Sequence, residues 1–478
     1  MNTSLEQVYA LFRKLNSIPR PSHHEQKVAD FLCQYAESLG LEHERDANNC
    51  VVIRKPATPG HETAEPIVLL NHMDMVAVGD GSRPFNPLTD GIDAYVEDGW
   101  MKAHGTSLGA DNGIGLSMAL AVLADDSIVH GPIEVLTTTN EEDGMTGAAN
   151  LSADFIQGRK VINLDSEDYD TITVGAAGAY LQEARIPIHR ITLPHIDSYY
   201  CIQIQNGLGG HSGVDINKGR INANQEMCHI IRALSETCCP SLHIAEINGG
   251  NANASIPGNC TAIVAVNSQE NEELIRATQL HAGRLKEMYP EETNLSLTIK
   301  PIEYQQGVIA SSESIARMVD QLPCGVIRMH PTMPGTTMTS NNIGMIRTED
   351  HHLMISCHTR SFNDSEMEQY ARICTTEFEN NGAQVSILMN TPGWQENQES
   401  DYIKAVSQTF DDVLHFTPRQ VAMHFVLEAG YYVRKYPGIE IACIGPRIIE
   451  PHSTKERVEL STIDNIYRVL MELLQRMA

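Results

Sequence analysis

At 478 residues the chain exceeds the size at which one hydrophobic core usually stops growing, which implies two or three compact units. A content of 42% hydrophobic and 20% charged residues excludes a disordered chain. The net charge of −27, from 34 basic against 61 acidic residues, excludes the Lys/Arg-rich surface that nucleic-acid binding requires.

Leu5, Val8, Phe12 and Leu15 recur at helical spacing and predict an N-terminal helix; no continuous apolar stretch of a secretory signal is present. From Pro66 to Asp165 short apolar runs alternate with helical stretches, the pattern of an α/β sheet. Ile67–Leu70, Ile133–Leu136 and Val161–Leu164 are predicted strands, and Asn112–Asp125 a buried helix. The apolar run Met118–Ala124 is far too short to cross a membrane. After about Ala179 the texture changes to α+β. It has predicted strands at Thr261–Val266, Leu295–Ile299 and Leu353–Phe362 and helices at Ile221–Thr237, Glu272–Met288 and Ser365–Asn380. The polar, turn-rich NTPGWQENQES leads back to a helix, the apolar run Ile441–Ile444 and a final helix, as though the first domain resumes. Eleven cysteines without a CxxC pair fit reduced thiols, so the expectation is a soluble cytoplasmic chain with neither membrane nor nucleic-acid partners.

Candidate chemistry gathers at the ends of the apolar runs. His72 and Asp74 follow IVLL, and in extended chain they point to one side, so one could bind a metal while the other orients it. Asp111 precedes the buried helix; its plain alternative is a helix cap, yet a carboxylate can also bridge two cations. Glu141 and Glu142 follow IEVLTTT, and adjacent carboxylates are reconciled if one ligates a metal while the other takes a proton. Asp165 follows VINL and His452 follows IACIGP. Singly, each reads as a solvated loop residue. Together they are two imidazoles and three carboxylates, four of the five at or just beyond the ends of strand-like runs and Asp111 opening a helix beside them, and open α/β sheets bind ligands at the carboxyl ends of strands. The set suits zinc, with manganese or cobalt as substitutes.

The motifs NHMDMV, GTSLGADNGIG, TNEEDGMTGA, NLDSED, GGHSG and IGP…PHS resemble those of the bacterial aminoacyl-histidine dipeptidases. These are also called Xaa-His or cytosolic non-specific dipeptidases and fall within the aminoacylase and carboxypeptidase group of two-zinc enzymes. The similarity extends from IPRPSHHE to the C-terminal helix. It implies an α/β catalytic domain with a mixed central sheet (1–185 and 389–478), interrupted by an α+β lid and dimerisation domain (186–388). It further implies that Asp111 bridges two zinc ions, with His72 and Asp165 on one and Glu142 and His452 on the other. Glu141 resembles the general base and Asp74 the carboxylate that steers His72. His211 in GGHSG matches a lid histidine that stabilises the oxyanion, and Arg360 in HTRSF an arginine that grips the substrate carboxylate; turn and surface roles are their plain alternatives. The resemblance also implies dipeptide substrates and allows a homodimer through the lid, in which His211 can serve a neighbouring subunit.

Two departures bear on specificity. GGNANASIP puts Ala254 and Ser255 where relatives have Asn and Ala, and HFVLE puts Phe425 and Val426 where relatives read HAGLE, between the expected substrate-binding residues His424 and Glu428. The rival readings are an aminoacylase acting on N-acyl amino acids, which a substrate panel separates, and a non-catalytic metal or peptide binder. The presence of Glu141, which metal binding alone does not need, argues against the latter.

Overall fold

The structure, a computed structural model, describes residues 3–478 and divides into two units. One comprises the chain up to Gly175, Glu396–Ala422 and Glu428 to the C-terminus; the other comprises Ala176–Gln395 and Met423–Leu427. These borders lie outside the 186–388 segment expected from sequence. The reason is strand pairing: Gly178–Pro187 lies antiparallel between His352–Ser361 and Gln384–Thr391, with Ala179 opposite both Arg360 and Thr391. Met423–Leu427 joins the second unit through a bond from Ala177 N to Met423 O (2.8 Å) and a contact between His424 Nε2 and Ser340 Oγ (2.7 Å).

The first unit is built on an eight-stranded sheet with parallel strands at its centre. Ile67–His72 pairs in parallel with Ile133–Thr138 on one side and Lys160–Asn163 on the other, and Lys160–Asn163 pairs in parallel with Glu440–Cys443. Ile67–His72 and Ile133–Thr138 are buried along their whole length, as parallel strands covered on both faces must be, which explains their continuous apolar runs. Parallel strands end at one edge. His72 stands opposite Thr138 and Leu70 opposite Asn163, so His72, Glu141, Glu142 and Asp165 leave the sheet on the same side.

The helix Ala110–Leu123 is buried at every residue except Asp111. Gly115 lets it approach the segment before Asp165: a Cβ there would lie 2.1 Å from the Leu164 carbonyl oxygen, a distance no side chain tolerates. The N-terminal helix Thr3–Asn16 buries Leu5, Val8, Phe12 and Leu15, as their spacing predicts.

The second unit carries a nine-stranded antiparallel sheet, ordered Ser296–Ile302, Ser198–Gln205, Cys260–Val266, His243–Gly249, Thr337–Thr348, His352–Ser361, Gly178–Pro187, Gln384–Thr391, with Gly325–Met329 also pairing Thr337–Thr348. Its helices Ala223–Thr237 and Asp364–Asn380 begin where Asn222 and Asn363 accept bonds from the backbone N–H of Gln225 and Glu366. Ile202, Ile230, Ile244, Val264, Ile346, Ile355 and Phe378 belong to its core.

Candidate metal centre and active site

In the first unit the five expected ligands form two overlapping groups, His72–Asp111–Asp165 and Asp111–Glu142–His452, each with its ligand atoms within 4.8 Å of one another. Asp111 belongs to both through different oxygens. Its Oδ1 lies 3.1 Å from His72 Nε2 and its Oδ2 lies 3.1 Å from His452 Nε2. His72 Nε2 also lies 3.4 Å from Asp165 Oδ1, and His452 Nε2 lies 2.9 Å from Glu142 Oε2. Each Nε2 thus faces two carboxylate oxygens with at most one proton to share, whereas one cation can be held by all three atoms. The buried Oε1 of Glu142 has no hydrogen-bond partner, as suits an oxygen available to a cation. Nitrogen and oxygen donors without thiolate suit a hard-to-borderline divalent ion.

The capping role for Asp111 does not hold. Its two carboxylate oxygens face His72 Nε2 and His452 Nε2 and accept no helix N–H among the described residues, and the chain is non-helical at Asp111 (φ −80°, ψ 114°) and Asn112, where the helix kinks. The Asp111–Asn112 peptide bond is cis.

Several residues that sequence reasoning did not single out hold this arrangement. Glu456, 3% exposed, accepts the backbone N–H groups of Leu108 (2.7 Å), Gly109 (2.9 Å), Ala110 (2.7 Å) and Asp111 (3.3 Å), and so ties the Asp111 loop to the segment carrying His452. Arg20, buried, donates to the carbonyls of Met73 (3.1 Å), Asp74 (2.9 Å) and Gly109 (2.7 Å), bracing the His72 turn against the same loop. Glu25 accepts from Asn140 N (2.9 Å), ahead of Glu141. Asn112 donates to Asp165 Oδ1 and to Leu164 O. Arg20 and Glu25 lie in the IPRPSHHE stretch, a visible signal; Glu456 lies in an ordinary charged stretch and gives none.

Asp74 lies against His72, with Oδ1 3.4 Å from Nδ1, and also accepts from Ser22 Oγ (2.8 Å) and the backbone N–H of Glu141 (3.0 Å) and Glu142 (3.2 Å). It therefore fixes two functional segments at once. The Glu141 carboxylate accepts no hydrogen bond among the described residues. Burial first, then the neighbouring Asp165, Glu428 and Glu142 carboxylates, push its pKa well above the usual range against the opposing pull of His72. Burial lowers the affinity of His72 for a proton, but Asp165, Asp111 and Asp74 together hold its pKa well above the ordinary value. Hydrogen bonds to Asp111 and Glu142 raise His452 to about 11. Glu428 is buried, accepts from Thr138 Oγ1 (2.9 Å) and Tyr432 OH (3.3 Å), and leaves Oε1 without a partner. Burial, with Asp165 beside it, raises its pKa to about 8.

The remaining expected residues, His211, Arg360 and His424, lie in the second unit. His211 Nδ1 accepts the backbone N–H of Gly213 and Val214, both at 3.2 Å. Burial and the Arg360 cation keep its imidazole neutral to lower pH than usual, so the remaining proton sits on Nε2 as a free donor. Arg360 does not face water: it is 3% exposed, and burial lowers its pKa to about 10. The guanidinium makes one hydrogen bond among the described residues, from Nη2 to Ser212 Oγ at 3.4 Å. His424 is buried and bonded to Ser340, so the expectation that it belongs to the returning catalytic segment is corrected by its packing.

Paired imidazole and carboxylate ligands at the carboxyl edge of a parallel sheet, with an unengaged glutamate alongside, are the equipment of a metal-dependent hydrolase. Residues 68–476 match peptidase family M20/M25/M40, and the chain belongs to that family of metallopeptidases. It is 33% identical over 475 residues, 99% of its length and 98% of the relative's, to the cytosol non-specific dipeptidase of Escherichia coli strain K12. The crystal structure of aminoacylhistidine dipeptidase from Vibrio alginolyticus superposes with a TM-score of 0.93 at 32% identity, covering 98% of this chain and 96% of that one. A tripeptidase from Staphylococcus aureus shares the fold alone, with a TM-score of 0.61 at 16% identity over 99% and 98% of the two chains. The resemblance read from the six motifs and the α/β-with-α+β fold class are thus borne out. No helix among the described residues is long and apolar enough to cross a membrane.

Proposed function

We propose that the chain is a cytoplasmic dipeptidase working with two zinc ions, for which manganese or cobalt can substitute. The observation that carries the reading is the division of Asp111, one oxygen toward His72 and Asp165 and the other toward His452 and Glu142. These residues would hold two divalent cations, which would supply Lewis-acid polarisation of a scissile carbonyl and acidification of water near neutral pH. Glu141 is the group assigned to the proton: it takes it from the attacking water and returns it to the leaving amine. Its uncommitted carboxylate and raised proton affinity support the assignment. Asp74 orients His72. His211, fixed as an Nε2–H donor, is assigned to the developing oxyanion, Arg360 to the terminal carboxylate of the dipeptide, and Glu428 with His424 to the remainder of the substrate.

The eleven cysteines are all unpaired, in keeping with a reducing compartment. A homodimer through the lid domain is supported by Gln384–Thr391, a strand at one end of the nine-stranded sheet. Its Ile387, Leu388 and Met389 are 60%, 51% and 38% exposed.

The deciding assay is a panel of Ala-His, Leu-Gly, carnosine and N-acetyl amino acids on purified protein of measured metal content. Dipeptide cleavage is expected. Cleavage of N-acetyl amino acids alone would turn the reading to an aminoacylase, and tight dipeptide binding without cleavage to a binder.

A further inference from the structure

Along the second-unit strand His352–Ser361, alternate side chains share a face, so Ser356, His358 and Arg360 project together. Opposite them on Thr337–Thr348 stand Asn342, paired with His358, and Ser340, paired with Arg360. Both opposing side chains are committed elsewhere. Asn342 donates to Ser255 O (2.8 Å) and lies 3.1 Å from Asn222 Nδ2, while Ser340 contacts His424.

His358, 4% exposed, makes no well-aligned hydrogen bond at either ring nitrogen, the Asn253 carbonyl being the backbone acceptor nearest to it, and Arg360 Nε and His424 Nδ1 are likewise buried without a well-aligned partner. Unpaired buried polar atoms are rare because each forfeits its hydration, and several in one place mean that something else completes them. The electrostatic neighbours of His358 are Arg360, His211, His424 and the Asn253 carbonyl, with no carboxylate among them. Burial first, and then the Arg360 cation, keep its ring neutral, so it has one N–H and one bare nitrogen. The group therefore carries the single positive charge of Arg360 and lacks a counter-anion.

From this geometry we propose that His358 is a specificity-determining residue which donates its N–H to the terminal carboxylate of the substrate, alongside the guanidinium of Arg360. The inference rests on the dipeptidase reading given above. A neutral donor paired with a planar cation favours one carboxylate over an amide, because the amide brings N–H groups that neither side chain can accept without losing its own bond. It selects free dipeptides over C-terminally blocked ones.

The test compares Leu-Gly with Leu-glycinamide, as substrate or competing inhibitor, in metal-loaded wild type, His358→Phe, His358→Gln and Arg360→Lys. His358→Phe keeps aromatic volume without a donor and should raise KM for Leu-Gly about tenfold, leave kcat nearly unchanged and leave the amide's affinity unchanged. His358→Gln restores a donor and should recover part of the loss; it also carries the test if the Phe variant folds poorly, which thermal denaturation reports. If Arg360→Lys weakens Leu-Gly selectively while neither His358 variant does, the role of His358 is overturned and water completes its ring. If Arg360→Lys also fails to separate acid from amide, the carboxylate assignment itself falls.

Discussion

Replacing Glu456 with glutamine removes one acceptor oxygen from a side chain that accepts four backbone N–H groups. Whichever way the new amide turns, it strands either the Leu108 and Gly109 pair or the Ala110 and Asp111 pair. A buried N–H left unpaired costs about 1–3 kcal/mol, so the native loop would carry about 2–6 kcal/mol of penalty. Arg20 loses as well, because Glu456 is the largest attractive charge acting on that buried guanidinium. The loop can relax only by moving Asp111, and loss of such outer contacts typically lowers metal affinity by about 10–100-fold, equivalent to about 1.4–2.8 kcal/mol. The remainder should appear as reduced resistance to urea. The cation on Glu142 and His452 should suffer more, since Glu456 joins both the Asp111 loop and the His452 segment, whereas His72 and Asp165 are held by strand ends. Dialysis of Glu456→Gln against graded chelator, with metal measured by atomic emission, should show one cation lost well before the other. Glu456→Asp, which keeps the charge, should be milder. Retention of both cations at wild-type levels in Glu456→Gln would show that Glu456 does not position Asp111.

Glu141→Gln should keep its metal and lose turnover by about 10²–10⁴, read from metal content and initial rates on one preparation; near-normal turnover would remove Glu141 as the base. Chelation should abolish dipeptide hydrolysis, with recovery on adding zinc, manganese or cobalt; full activity of a verified metal-free preparation contradicts the two-cation reading. In the metal-free protein His72 and His452 sit above their ordinary pKa, the latter at about 11, so both are protonated near pH 7 and must lose a proton to ligate. Cation affinity should accordingly increase as pH rises, and calorimetric titration in buffers of different ionisation enthalpy should detect proton release; no buffer dependence would refute this. Ile387→Lys on the exposed edge strand should convert a two-chain particle into a single chain by light scattering, and a wild type already monomeric would dismiss the lid-edge dimer.

What sequence revealed and what it concealed follow from the same geometry. Runs such as IVLL, IEVL and VINL mark buried parallel strands whose ends emerge at the carboxyl edge, so His72 at one strand end, Asp165 just past another and Glu142 in the turn a few residues past a third are legible from local pattern. His452 and Asp111 were harder because no strand run ends immediately before either. Asp111 looks like a cap until the fold turns both of its oxygens toward His72 and His452. Glu456 passes as a surface charge, since its partners are main-chain groups 345 to 348 residues away, and a main-chain donor leaves no mark on the residue types there. The same holds for Met423–Leu427, whose assignment to the second unit depends on Ala177 and Ser340 rather than on its own composition. Ligand chemistry is therefore legible wherever a side chain itself is the donor. The contacts that position the Asp111 loop against the His452 segment run through backbone amides, and only the folded chain displays them.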